Sequence, residues 1–491
     1  MKRNFLALLV MATTAACERP TAPETEEPVR SPSFSLVQEV SVTDLGTLGG
    51  TSSSAFAVND LGQVVGGWPA LGESHAFLWE AGTMTELAGG HCAWRVNTLG
   101  QVVGNGRTVV GHVHAFLWQA GTAIDLGTLG GDVSSVGCGA RLGSEVFVPS
   151  GGINNLGQAV GTSETATGEF HAFLWQAGAL TDLGTLGGSF SGAQAINDVG
   201  QVVGVSRTAA GHLHAFLWEA GTLTDLGTLG GERSFPKSIN VLGQVVGQSE
   251  TQGGEFHAFL WQAGVMSDLG TLGGSGSAAT AINNVGQVVG WSTTAAGVFH
   301  AVLWEAGTMT DLGTVGGGRS DASAVNDLGQ VVGQGRRAPD ADAYAFLWQA
   351  GTMTDLGGLG GTGSFAAAGG INRLGQVVGS ARNVAGDIHA ALWTTLRPAT
   401  PEEEVTVIED AVTDLVGDGS LSDGQSQPLV ASLDAATRLL NDGNAAGAAR
   451  LLEAFVRQVD AFVRAGILSA EDGDRLTTAA RNAIEQLSAT P

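Results

Sequence analysis

Residues 181–221 read TDLGTLGGSFSGAQAINDVGQVVGVSRTAAGHLHAFLWEAG, and close variants of this stretch fill most of the chain. Three markers count the copies. The asparagine of the N-x-x-G-Q turn falls at Asn59, Asn97, Asn154, Asn197, Asn240, Asn283, Asn326 and Asn372. The tryptophan of H-A-F-L-W falls at Trp79, Trp118, Trp175, Trp218, Trp261, Trp304, Trp348 and Trp393, and a T-D-L-G-like segment accompanies each. The asparagine spacings are 38, 57, 43, 43, 43, 43 and 46, so a deletion near Glu86–Cys92 and an insertion over Asp132–Gly152 are the main irregularities. Repeats of this period signal a propeller, a solenoid or an array.

Each repeat reads as four short strands. In the first they are Ser54–Val58, Gln63–Trp68, His75–Trp79 and Thr83–Leu87, rich in Val, Phe, Trp and Thr and bounded by Gly, Asn and Asp. Asn59-Asp-Leu-Gly62 and Glu80-Ala-Gly82 have hairpin chemistry, because Asn and Gly tolerate positive φ. No sustained 3.6-residue apolar period runs between Thr43 and Trp393, which argues against a helical repeat. Four antiparallel strands per repeat describe a propeller blade. The repeat region opens with a T-D-L-G strand, Val42–Leu45, and ends at His389–Trp393 with no ninth such strand. An open array would leave two exposed edges. The expected fold is therefore mainly β: an eight-bladed β-propeller closed by the N-terminal strand, which lies beside His389–Trp393. A parallel β-solenoid is the rival, disfavoured by two tight hairpins per repeat.

This arrangement makes A-I-N the innermost strand and T-D-L-G the outermost. The tight turns then share one face. The G-T-L-G-G links and the loops before H-A-F-L-W share the other, where the sequence varies most. Variable loops on a rigid scaffold are where binding concentrates.

The N-terminal segment is set apart. Lys2 and Arg3 precede a short apolar stretch, Phe5–Met11, and then Thr14-Ala-Ala-Cys17. Residues 1–16 read as a signal peptide. The Thr-Ala-Ala-Cys box resembles a bacterial lipoprotein cleavage site, with Thr14 where Leu is usual; the resemblance implies lipidation at Cys17, and ordinary secretion cut near Ala16 is the alternative. Residues 17–37, rich in Pro, Glu, Thr and Ser, read as a disordered tether. In an oxidising compartment Cys92 and Cys138 are an even pair and a candidate disulfide, the alternative being two free thiols. Residues 38–396 are the propeller and 397–404 a linker. From 405 to 491 the period becomes helical: Val405, Ile408, Val412 and Leu415 mark one face, and Leu429, Leu433, Ala436 and Leu440 a second. Ala448, Leu452, Phe455 and Val459 mark a third, and Leu476, Ala480 and Ile484 a fourth. Pro428 suits a first helical turn, and Ser469–Asp472 an acidic capping box.

Two resemblances follow from these motifs. H-A-F-L-W, D-L-G-T-L-G-G and I-N-x-x-G-Q-V-V-G resemble the bacterial HAF-type extracellular repeat, which has no assigned activity. The pattern from Leu421-Ser-Asp-Gly-Gln425 through Gly466-Ile-Leu-Ser469 resembles the FIMAH module, appended to diverse secreted bacterial proteins. Neither implies a catalytic residue.

Composition narrows the partners. Asp plus Glu number 47 against 22 Lys plus Arg, a formal net charge of −25, which repels nucleic acid and anionic lipid. Histidine recurs at His75, His114, His171, His214, His257, His300 and His389, with Tyr344 in the eighth place. Each stands at the start of an inner-layer strand of a different blade, which suits a hydrogen-bonding role in the fold better than a metal site. The Asn/Asp turns are too short for a calcium loop. Neither metal nor cofactor is expected.

The favoured function is a non-catalytic binding module on a secreted, lipid-anchored envelope protein, acting as a monomer on a glycan, peptide or surface protein. It meets the membrane only through the anchor. Trp68 and Trp291 are candidate stacking residues. Arg107, Arg207, Arg336, Arg337 and Arg382 are candidate polar contacts, joined by Arg141 and Glu145 from the insertion. The alternative is a secreted polysaccharide hydrolase or lyase at the central channel, using Asp132, Arg141 and Glu145.

Overall fold

The computed structural model of this protein describes residues 40–70, 73–137, 151–338, 342–395, 400–417 and 419–489. Residues 1–37, read above as a signal peptide and a tether, fall outside them with Cys17, and so do Cys138, Arg141 and Glu145.

The fifth repeat shows how the sequence sets the sheet. Gly230–Ile239, Val245–Thr251, Phe256–Gln262 and Val265–Asp268 pair antiparallel in that order. The third and fourth strands meet at Ala263-Gly264, with φ of 50° and 86°. Positive φ at both central residues gives the hairpin a twist that matches its strands. The first and second strands meet at Asn240–Gln244, where the Asn240 N–H donates to the Gln244 carbonyl (3.1 Å) and the Gly243 N–H to the Asn240 carbonyl (3.0 Å). Gly247 must be glycine, because an added Cβ would collide with the Phe235 carbonyl on the neighbouring strand.

Alternation sends successive residues into different cores. Val245 and Phe259 pack with Val203, Ala215 and Leu217 of the fourth repeat. Val246 and Ala258 pack instead with Ala279, Val288 and Val302 of the sixth. The Val-Val and Ala-Phe pairs thus glue each sheet to both neighbours, each fully buried aliphatic side chain contributing about 1.5–3 kcal/mol. The innermost strand carries a bulge three residues before its turn asparagine, as at Lys237 between Pro236 and Ser238.

The same strand order recurs in most other repeats; in the third the first strand is split into Gly130–Ser135 and Gly152–Ile153, and a parallel bridge from Phe170 to Phe190 joins the third and fourth repeats into one nine-stranded sheet. Together the sheets surround a common channel and form a β-propeller. In the last repeat Gly360–Ile371, Gln376–Asn383 and Ile388–Thr395 come from the C-terminal end of the repeat region. The fourth strand is Val40–Gly46, antiparallel to Ile388–Thr395, with Val42 opposite Trp393 and Asp44 opposite Ala391.

Four helices follow: α1 (Pro401–Gly417), α2 (Asp423–Asn441), α3 (Ala445–Arg464) and α4 (Ala470–Ala489). Val405, Ile408, Leu429, Leu433, Phe455 and Leu476 are among the side chains of their shared core. Two starts differ from the sequence reading. α1 begins at Pro401, whose fixed φ and missing N–H suit a first turn. α2 begins at Asp423, so Pro428 lies inside the helix: a capping box forms earlier, with Ser422 N–H donating to Gln425 Oε1 (2.8 Å). The Ser469 box is present, the Asp472 N–H donating to Ser469 Oγ (3.0 Å). Among the described residues no helix is long and apolar enough to cross a membrane.

Candidate functional site

The repeated polar residues bind the sheets to themselves and to one another. His257 Nδ1 lies 2.8 Å from Asp268 Oδ2 on the adjacent outermost strand, and the Asp268 Oδ1 accepts from the Gly270 N–H (2.7 Å). His114, His171, His214, His300 and His389 meet Asp125, Asp182, Asp225, Asp311 and Asp44 in the same way, and His75 meets Glu86. The Tyr344 hydroxyl, in the eighth place, accepts from the Val315 N–H (2.8 Å). These histidines stand on the third strand out from the channel, not in an inner layer, because the strands nearest the axis carry A-I-N and Q-V-V-G. Among the described residues no group of three His, Cys, Asp or Glu is placed to hold a metal ion.

The turn asparagines do more than turn the chain. Asn240 is 3% exposed. Its Oδ1 accepts from the Leu242 and Gln244 N–H groups (3.1 and 3.0 Å), while its Nδ2 donates to Gln244 Oε1 (2.6 Å) and, across the junction, to the Asn283 carbonyl (3.0 Å). Each belt asparagine donates to the carbonyl of the next, and Asn372 donates to that of Asn59 (2.9 Å). A second set of junctions uses serine. Ser277 Oγ accepts from the Ala258 N–H (2.9 Å) of the preceding repeat and donates to the Gly270 carbonyl (2.6 Å). Sequence reading missed both junctions; the serine six residues before most belt asparagines was the available signal.

The belt rims a cavity of about 360 Å³ at the channel mouth. The residues after the asparagines give it a mixed polar wall that includes Asp60, Asn155, Asp198, Asp327 and Arg373. The Arg373 N–H donates to Asp60 Oδ1 (2.9 Å), and its guanidinium reaches Asp327 (3.5 Å) and Asp410 of α1. Burial raises the Asp60 carboxyl above its ordinary range despite the help of Arg373. Beside these contacts Thr98 Oγ1 donates to Asp414 Oδ2 (2.6 Å), and Leu99 meets Ala411, Leu415 and Leu476. The helical module therefore rests, through α1, on the asparagine-turn face. On the first strand of the second repeat, Gly90–Val96, Arg95 lies over the Trp94 ring (4.6 Å to its centroid), and burial lowers its guanidinium to about 10.

The residues proposed for binding fall into separate groups. Trp68 is 3% exposed and stacks on His75 (5.0 Å), so it belongs to the core and presents no face to solvent. Arg107, Arg207 and Arg382 each donate Nη1 to a carbonyl in their own hairpin, Gly111, Gly211 and Gly386 (2.8–3.0 Å). Arg337 pairs with Asp355 and lies over the Tyr344 ring. Most loops before the histidine strand share one compact turn, as where the Thr208, Thr251 and Thr294 N–H groups donate to the carbonyls of His212, Glu255 and Val298 (2.9 Å). They vary in side chains rather than in backbone.

Arg336 is placed differently. With Arg382, Gln334 and Asp342 it lines a cavity of about 350 Å³ between the seventh and eighth repeats. With Val298, Phe299 and Arg319 it lines another of about 480 Å³ between the sixth and seventh. Trp291 stands behind Phe299, ring centroids 4.9 Å apart. Phe299 and Arg319 were not singled out from sequence, since each looks ordinary within its own repeat. Cys92 is buried and disulfide-bonded. Asp132 lies beside His112 (3.6 Å), at the described edge of the insertion.

These features define a β-propeller carrying a C-terminal helical module. Residues 405–485 match the FIMAH domain. No curated protein matches the chain in sequence. Among solved structures it is similar to TolB from Acinetobacter baumannii, at 13% identity and a TM-score of 0.30, covering 46% of this chain and 52% of that one. It is similar also to the β-propeller domain of the Trilobed protease from Pyrococcus furiosus, at 9% identity and a TM-score of 0.41, covering 62% and 96%. An Aleuria aurantia lectin mutant in complex with Fucalpha1-6GlcNAc gives 10% identity and a TM-score of 0.30, covering 65% and 96%. The chain spans about half the length of that TolB, and 58% of a Mycobacterium tuberculosis puromycin-hydrolyzing peptidase.

Proposed function

We propose that this chain is a secreted bacterial envelope protein, lipid-anchored at Cys17, whose propeller is a non-catalytic binding module for a glycan, peptide or surface protein. The propeller is eight-bladed and closed. The pairing of Val40–Gly46 with Ile388–Thr395 and the asparagine bonds that return from Asn372 to Asn59 support this reading. The repeats are of the HAF type on the motifs quoted above, and Cys92 pairs with Cys138.

One observation carries the functional reading: the two faces are unequally used. The asparagine-turn face is engaged by the chain's own helix α1, through Arg373–Asp410 and Thr98–Asp414. The cavities of about 350 and 480 Å³ lie on the opposite face, within the size range of small-ligand sites.

The test is a glycan and envelope-protein binding panel on the mature protein, run with assays for polysaccharide turnover. Saturable binding without turnover is expected. A panel blank for every probe would sink the binding reading, and sustained turnover would replace it with the hydrolase one. Cys17→Ser should move the protein from the membrane to the soluble fraction; retention in the membrane would overturn the anchor.

A further inference from the structure

Each asparagine turn carries a leucine or valine two residues after the asparagine. Where α1 lies, these side chains are in use. Leu99 meets Ala411, Leu415 and Leu476, and Gly417 lies against Leu156. Carboxylates fasten the seat, Asp410 to Arg373 and Asp414 to Thr98. These contacts fall on the eighth, second and third repeats.

Farther round the ring the turns are open. Val199, Leu242 and Val285, of the fourth to sixth repeats, are 64%, 67% and 68% exposed. Asn197 Nδ2 donates to the Asn240 carbonyl (2.9 Å) and Asn240 Nδ2 to that of Asn283 (3.0 Å), so the three turns stand side by side in one arc. The fifth repeat, at its middle, departs from the others twice. Val241 stands where every other repeat has a polar residue, and Val265 where most have Thr. They are 39% and 61% exposed, and neither belongs to the cores on either side of their sheet. Gln244 Nε2, which donates to Gln262 Oε1 (3.1 Å), ties the hairpin of Val265 to the turn of Val241. One exposed apolar side chain is ordinary, but five on neighbouring turns mark an interaction surface.

Charge selects the occupant. Asp198, Glu219 and Glu305 stand on the turns of these same three repeats, and no Lys or Arg does. Asn155 Nδ2 donates to Asp198 Oδ2 (3.1 Å), and Gln201 and Gln287 donate Nε2 to Glu219 and Glu305 (2.9 and 2.8 Å). These neutral amides hold the carboxylates in place and leave their charge. A second copy of this chain, at −25, would be repelled.

We propose that this arc docks an amphipathic helix of a partner protein, one whose polar edge is basic. Its apolar stripe lies on Val199, Leu242 and Val285 as α1 lies on Leu99. Lys or Arg side chains, in the role that Asp410 and Asp414 play on α1, meet Asp198, Glu219 and Glu305. The surface is separate from the cavities of the loop face, so its failure would leave the binding-module reading as it stands.

The probe is a synthetic peptide of residues 401–417 with its six Asp and Glu replaced by Lys, measured by titration calorimetry on the full mature chain. A peptide of the same composition in scrambled order, without an apolar stripe, is the control. The ordered peptide should bind at least about tenfold more tightly than the scrambled one, as burial of two or more aliphatic side chains requires. The double variant Leu242→Gln, Val285→Gln should abolish that preference with Tm within about 1 °C of the parent, because both side chains are exposed. Equal binding of the two peptides, no binding of either, or undiminished preference in the double variant overturns the arc as a docking surface. Sedimentation of the chain alone should give a monomer. A dimer that the double variant dissolves would make a second copy the occupant and overturn the partner helix.

Discussion

Replacing one belt asparagine tests what holds neighbouring sheets together. Asn240→Ala removes four hydrogen bonds, two that shape the turn, one to Gln244 and one to the Asn283 carbonyl in the next repeat. At a net of about 1 kcal/mol per bond, with buried partners left unsatisfied, the cost should be about 3–5 kcal/mol. About 350 residues unfolding together at ~2.1 cal/mol/K each give an entropy of about 0.7 kcal/mol/K, so Tm should fall by about 5 °C. All 11 tryptophans precede the helical module, so tryptophan fluorescence reports the propeller alone. Asn240→Asp keeps the oxygen that shapes the turn but turns a carboxylate oxygen toward Gln244 Oε1 and the Asn283 carbonyl. It separates the junction from the turn, and should cost at least as much as the alanine at neutral pH. A shift under about 1 °C for both variants would refute the belt as a structural joint.

Three further outcomes follow from other features. Ala220 and Ala263 sit at φ of 47° and 50°, a conformation that costs an L-residue about 1–2 kcal/mol and that asparagine adopts more readily; replacing both by Asn should stabilise the protein by about 1 kcal/mol, read from urea midpoints. Burial raises the Asp60 carboxyl above its ordinary 3.8, so the folded chain keeps that proton to higher pH than the unfolded one, and stability is lost as pH rises through the window above 3.8. Asp60→Asn should therefore improve Tm relative to the parent more at about pH 7 than below about pH 4, and an equal shift at both would contradict the assignment. Arg373→Glu should speed amide exchange in α1 through repulsion of Asp410, with Asp410→Arg restoring protection in the double variant; unchanged exchange in the single variant would remove this contact from the docking of the helices.

Much of the fold is legible because the repeat states its local chemistry eight times. Strand lengths follow from Val, Phe and Trp runs, and hairpins from Asn-x-x-Gly and Ala-Gly. The polar roles were only half legible. Histidine could be assigned to hydrogen bonding because a repeated residue is a poor candidate for a unique site, but its aspartate partner lies 11 residues away on the next strand. The candidate binding residues were chosen by rarity within a loop, and rarity does not report direction. Trp68 turned into a sheet junction, while Phe299 and Arg319, unremarked in sequence, line a cavity. The α2 start was misplaced because Pro428 is a stronger letter than the Ser422–Gln425 pair that caps the helix.

Sequence alone determined the period, the strand order within a repeat and the change from two-residue to helical periodicity, because these depend on neighbours a few residues apart. Tertiary structure decided what lies across a junction. Arg319 and Arg336 are 17 positions apart in the chain yet face one another, and Phe299 joins them from a different sheet. Asp410 and Asp414 meet the asparagine-turn face only because α1 folds back on it. Charge and apolar surface act through distance, and across sheets that distance is set by packing rather than by the spacing of letters.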